Sequence, residues 1–238
     1  LGHDLGHVAF AHNGEEVLDS FLDEGFRHNE QSVRIVEKLE RNGKGLNLTK
    51  EVIDGILNHS GLGSKDNISK TLEGRIVKYS DKIAYLNHDI DDSIRAGLLH
   101  EEQLPKEIIK VLGKNHSERI HVLINDMINE TTENLKNGKY DIKQSDEVKE
   151  AMIELRRYMF KNIYLADVLK EERGKAKFIL THVIDYFYKH SEELPELYQK
   201  IANEEGLKRG VADYIAGMTD DYCLSTFNKI YVPKFVIY

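Results

Sequence analysis

Leu1-Gly2-His3-Asp4-Leu5-Gly6-His7-Val8-Ala9-Phe10-Ala11-His12-Asn13-Gly14-Glu15 opens the chain and crowds imidazoles and carboxylates into one short stretch. His3 and Asp4 offer a nitrogen and an oxygen donor to a divalent ion. As sequence neighbours they diverge by about 100° on a helix, so they can share one ion only near a helix end. Gly6 lies where such an end is expected. Two ligands are too few for a tight site, so further donors must come from elsewhere in the fold. His12 and Glu15 are three apart and can pair at a helix start, where the carboxylate would raise the basicity of the imidazole and fix its tautomer. Such a pair suits giving a proton to a leaving oxygen. Taken alone, Glu15 reads more simply as a first-turn carboxylate favoured by the helix dipole. Beside His3, Asp4 and His7, the pair is the better reading.

Working outward, apolar residues recur at helical spacing almost everywhere, and no run of alternating strands appears. Val17, Leu18, Phe21 and Leu22 form the inner face of a helix ending near Gly25. Val33, Ile35, Val36 and Leu39 predict another, stopped by Asn42-Gly43. Thr49 caps a third that carries Val52, Ile53, Ile56 and Leu57. Gly61 to Asn67 reads as an exposed loop. Helices are then expected over about Thr71–Leu99, Lys106–Leu112, His116–Leu135, Asp146–Leu169, Gly174–Lys189, Leu194–Glu205 and Gly210–Tyr231. Asn137 to Ser145 is the weakest joint, yet the helices flanking it carry apolar faces that need partners. A single all-α domain is expected.

Composition narrows the function classes. The chain has 238 residues, 40% hydrophobic and 31% charged with 3 Pro, which suits a helix-rich globular protein. A net charge of −8 argues against a broad nucleic-acid face, although it says nothing of a local basic pocket. The single cysteine, Cys223, excludes an intrachain disulfide and fits a reducing cytoplasm. No apolar run approaches the roughly 20 residues that cross a bilayer, so no membrane partner is expected. The chain starts with Leu1 inside a motif, and earlier residues are expected to precede it.

On the predicted long helix, Asp81, Tyr85 and Asp89 follow at steps of four and share one face, about 6 Å apart in rise. Carboxylate, ring, carboxylate makes a plausible ladder from a metal towards a sugar and base. Without the N-terminal motif it would read as a solvated acidic stripe around a half-buried tyrosine. There is no P-loop and no Gly-x-Ser-x-Gly elbow, so phosphate recognition would rest on a metal with individual Lys, Arg and His side chains. Lys82 adjoins Asp81 and is the candidate cation. His28 precedes a helix that Asn29 can cap, and it could face the same pocket.

His3-Asp4 resembles the central dyad of HD-domain metal phosphohydrolases, and the wider pattern is more specific. The opening stretch, with Phe26-Arg27-His28-Asn29-Glu30-Gln31-Ser32 and Gly45-Leu46-Asn47-Leu48-Thr49, is similar to the dGTPase-like deoxynucleoside triphosphate triphosphohydrolases. So are Ser80 to Asp92 and Ala212 to Asp220, in family order along the chain.

The resemblance implies an all-α, single HD-domain helical bundle over residues 1–238. It also implies hydrolysis of dGTP-like deoxynucleoside triphosphates to deoxynucleoside and inorganic triphosphate. Its metal would be held by two His and two Asp. His3, Asp4 and Asp81 match three of these, and the fourth belongs to an upstream helix not contained in this sequence. Mn²⁺ or Mg²⁺ is the first expectation, and the mixed donors leave Fe, Ni and Zn open. By the same carry-over His12 with Glu15 assists catalysis, while His7 and His28 contact or protonate the phosphates. Lys82 balances phosphate charge, Tyr85 packs on the sugar, and Asp89 accepts from the 3′-hydroxyl. A homo-oligomer is implied as well. Two departures stand out: Val8-Ala9 replaces a proline-containing pair, which could loosen the turn presenting His12, and Asp221 takes a position often basic in relatives. The rival readings are another HD-type nucleotide phosphohydrolase and a dNTP-binding sensor with little turnover.

Overall fold

A computed structural model describes residues 1–61 and 68–234. Most of the expected loop at Gly61–Asn67 therefore lies outside the described residues. Among them the chain forms helices and turns, with no strand. The helices are α1 (His12–Phe21), α2 (His28–Arg34), the single turn α3 (Glu40–Gly43), α4 (Lys50–Leu57), α5 (Leu72–Arg95), α6 (Lys106–Leu112), α7 (His116–Lys136), α8 (Asp146–Met159), α9 (Asp167–Lys189), α10 (Glu196–Glu205), α11 (Leu207–Ala216) and α12 (Asp220–Tyr231). The all-α reading holds. The chain divides into two compact units, Leu1–Leu57 with Glu171–Tyr238, and Asn58–Lys170.

The caps explain where many helices start. Thr71 Oγ1 accepts from the Gly74 N–H (3.1 Å) and Asn115 from Glu118 (3.0 Å), while Ser145 and Thr219 do the same for α8 and α12. Four expected boundaries are corrected. The long helix stops at Arg95 rather than Leu99, because Gly97 turns left-handed at φ 70° and Ser93 O accepts from the N–H groups of Leu98 and Leu99. The expected helix Asp146–Leu169 ends at Met159 and passes into a π turn, Phe160–Tyr164, whose extra residue rotates the side chains beyond it about the helix axis. Gly174 does not open a helix, since α9 has already run from Asp167. The expected Gly210–Tyr231 helix breaks at Gly217, and Thr219 caps a new one.

In the first unit Leu18 of α1, Leu180, Val183 and Ile184 of α9, and Val211 and Ile215 of α11 form the core, with Cys223 buried among them. Set into this unit is a charged knot. Asp213 of α11 is 1% exposed and accepts from Arg34 Nε (2.9 and 2.8 Å) and from Gln31 Nε2 (3.0 Å), both on α2. Arg209 closes the knot with a 2.7 Å bond to the same carboxylate. Asp213 therefore fixes α2, the helix that begins with His28, onto α11. Removing one partner of a buried charge group strands the others. Asp213→Ala is expected to cost about 3–5 kcal/mol, lowering Tm by on the order of 6–20 °C; a thermal melt displaced by less than about 2 °C would contradict this role.

The second unit packs Ile83, Leu86 and Ile90 of α5 against Leu112 of α6, Leu123 of α7 and Met152, Leu155 and Met159 of α8. Arg119 of α7, 2% exposed, is held by Asn87 Oδ1 at 2.8 Å and lies 3.6 Å from Asp91. This ties α5 to α7 and sets the rotation of α5, and so the direction of its polar face.

Candidate active site

In the first unit the N-terminal segment is a turn rather than a helix. The His7 N–H reaches Asp4 O at 3.1 Å, and the Ser32 hydroxyl staples the turn from within. Ser32 Oγ accepts from the Gly6 N–H (2.8 Å) and donates to His3 O (2.7 Å). Gly6 is required here, because a Cβ would lie 2.1 Å from His28 O. Phe10 and Ala11 then take positive φ (62° and 48°), which releases α1 at His12. The Phe10 N–H is anchored by Asp220 Oδ1 at 2.8 Å. Val8 and Ala9, in place of the expected proline-containing pair, are buried in the core.

This backbone joins the six singled-out residues of the unit into one string. His3 Nε2 lies 2.8 Å from Asp4 Oδ2, and Asp4 Oδ1 lies 3.4 Å from His7 Nε2. The His7 ring stacks on His28, with centroids 4.3 Å apart and planes 8° from parallel. His28 Nδ1 sits 3.1 Å from Glu15 Oε1, and the His28 backbone N–H donates to the same oxygen at 3.0 Å. Glu15 Oε2 lies 3.8 Å from His12 Nδ1. Burial pushes the Glu15 carboxyl up, but the nearby His12 imidazole and the hydrogen bonds from His28 outweigh it and hold the group well below the usual carboxylate range. Glu15 is thus an ionised anchor for two imidazoles, and His28 is its closer partner. The His12 side chain is 81% exposed. Asp221 is exposed and lines a shallow cleft with His7, Thr219 and Asp220.

In the second unit Asp81, Tyr85 and Asp89 occupy successive turns of α5, with Lys82 next to Asp81 in the chain. Asp81 is half-buried. Lys82 is buried, and its ammonium is pulled down to about 8, first by burial, then by Lys78 and Arg156 against the opposing pull of Asp81. Arg156 of α8 donates from Nε to Tyr85 OH at 3.0 Å, and Tyr164 OH donates to Asp89 Oδ2. Burial and the Asp89 hydrogen bond raise the Tyr164 phenol well above its ordinary value, so it stays a donor. Arg156 and Tyr164 were missed in the sequence. Nothing in an apparently continuous helix at 146–169 announces the π turn that brings Tyr164 to Asp89.

The donor set in the first unit suits a metal. A ring nitrogen and carboxylate oxygens 2.8 Å apart are a mixed N/O pair able to share one divalent ion.

The HD domain family matches residues 1–86, and the phosphohydrolase-associated domain matches residues 142–229. The chain is similar to a deoxyguanosinetriphosphate triphosphohydrolase-like protein of Clostridium tetani, with 61% identity over all of this chain and 69% of that protein. A protein of the same description from Clostridium perfringens is 59% identical, over all of this chain and 70% of its own length. Another from Caldanaerobacter subterraneus is 48% identical over 98% of this chain and 66% of its own. No helix among the described residues is long and apolar enough to cross a membrane.

Proposed function

Because the chain belongs to the HD-domain family of deoxyguanosinetriphosphate triphosphohydrolase-like proteins, we propose that this phosphohydrolase cleaves deoxynucleoside triphosphates to deoxynucleoside and inorganic triphosphate. The observation that carries the reading is the unbroken string His3, Asp4, His7, His28, Glu15, His12, in which a ligand pair and a general acid are wired together. His3 and Asp4, with Asp81 as the third ligand, would hold a divalent ion, Mn²⁺ or Mg²⁺. Such an ion would supply positive charge that favours attack on a phosphate.

The rest of the chemistry belongs to side chains. His7 and His28 donate to phosphate oxygens, and Lys82 offsets their charge. Water adds to the α-phosphorus, the bond from phosphorus to the 5′-oxygen breaks, and His12 gives its proton to that departing oxygen. Glu15 holds the His12 ring in the tautomer and orientation this needs. Asp89, already fixed by Tyr164, accepts from the 3′-hydroxyl through its other oxygen. The Tyr85 ring, steadied by Arg156, packs under C2′ and rejects a 2′-hydroxyl by contact. We take both units as one phosphohydrolase over residues 1–238, working in the cytoplasm as a homo-oligomer.

The test is product analysis of dGTP incubated with the full-length protein and Mn²⁺, followed by ³¹P NMR. Inorganic triphosphate with deoxyguanosine is the expected result. Orthophosphate or pyrophosphate as the first product would overturn the assignment in favour of another phosphohydrolase, and tight dGTP binding without product would favour a sensor.

A further inference from the structure

The second unit contains a row of cations of which the mechanism above uses only Lys82 and Arg156. Lys78 lies one turn before Lys82 on α5, and the two are 9% and 8% exposed. Two like charges a turn apart repel each other, and an anion that spans them is attracted to both. Burial also pulls the Lys78 ammonium down. On α8, Lys149 precedes Arg156 by seven residues, about 10 Å of helix on the same face.

The order of the contacts gives this row a direction. Tyr164 meets Asp89, and Arg156 meets Tyr85. Pairing therefore runs the same way along both segments, and earlier residues of α8 belong beside earlier residues of α5. Lys149 falls at the Lys82 and Lys78 end. Where Asp89 and Tyr85 take the sugar, the phosphate chain leads from Lys82 towards Lys78. The rise between those two lysines is about 6 Å, a span of a few P–O bonds.

We propose that Lys78 and Lys149 bind the outer phosphates of the nucleotide and so set the preference of this site for a triphosphate over shorter phosphate chains. This rests on the substrate reading above for its direction, but its test does not depend on turnover. Inorganic triphosphate and orthophosphate are titrated into the full-length protein by calorimetry, for the parent and for Lys78→Gln, Lys78→Arg and Lys149→Gln.

Lys78→Gln and Lys149→Gln are each expected to weaken triphosphate binding about tenfold, the loss of one charge-assisted contact. Orthophosphate binding should change by less than about twofold, and Lys78→Arg should retain most triphosphate affinity, since charge is the operative property. Unchanged triphosphate affinity in a folded Lys78→Gln protein overturns the proposal. Should that variant fail to fold, exposed Lys149 decides the matter: unchanged affinity in Lys149→Gln overturns it equally. An enzyme that fails to cleave dGTP while keeping this lysine-dependent preference would retire the substrate reading alone. One that cleaves dGTP without the preference would retire only the assignment of the two lysines.

Discussion

His12→Ala is expected to lower kcat on dGTP by about 10²–10⁴-fold, the usual worth of a positioned general acid, while leaving metal content as it was. The departing 5′-oxygen is a poor leaving group until protonated, and His12 is the exposed imidazole whose partner is already fixed. That partner is Glu15, held by two imidazoles and one backbone N–H. Its carboxyl titrates far below its ordinary range, so it is charged throughout any practical assay. An acid limb in the pH–rate profile therefore belongs to other groups. Glu15→Gln keeps the shape and removes the charge, so it should lower kcat less than His12→Ala does. Steady-state kinetics with metal analysis of the same samples makes the comparison. Parent-like kcat in a metal-replete His12→Ala protein removes His12 from the chemistry.

Much of this was legible in the residues. The spacing of His3, Asp4, His7, His12 and Glu15 announced a cluster, and the structure joins them through side-chain contacts within one unit. The i, i+4 spacing of Asp81, Tyr85 and Asp89 announced a shared face of one long helix. What stayed hidden depends on contacts between residues far apart in sequence. Ser32 looks like an ordinary polar position on a helix, yet its hydroxyl holds the turn that carries His3 and Gly6. The Glu15 bond to His28, 13 residues on, is shorter than its local contact with His12, and periodicity gives no hint of it. Tyr164 reaches Asp89 only because a π turn takes over where α8 ends at Met159, and π turns have no composition of their own. Asp213 lies in the motif Ala212 to Asp220. Its burial between Arg34 and Arg209, which makes it a structural anchor of α2, could be seen only in the fold.

The second large effect concerns the metal. Changes to groups that merely support a ligand already cost roughly 10–100-fold in metal affinity, so losing a ligand outright should cost more. Asp4→Ala removes a carboxylate beside His3 and is expected to abolish both binding and turnover. Asp81→Ala is the more searching variant, because Asp81 was assigned as a ligand from another part of the chain. Asp89→Ala serves as its control. It lies on the same helix face, but its carboxylate is assigned to the sugar, so it should keep the metal and lose preference for substrates bearing a 3′-hydroxyl.

Equilibrium dialysis of full-length parent, Asp81→Ala and Asp89→Ala against Mn²⁺, with bound metal read by mass spectrometry, puts the question directly. Parent and Asp89→Ala should each hold an ion, while Asp81→Ala binds at least roughly 100-fold more weakly and shows no triphosphate release. Full metal occupancy in Asp81→Ala would mean that His3 and Asp4 draw their remaining ligands from elsewhere, and the assignment of this site would have to be given up.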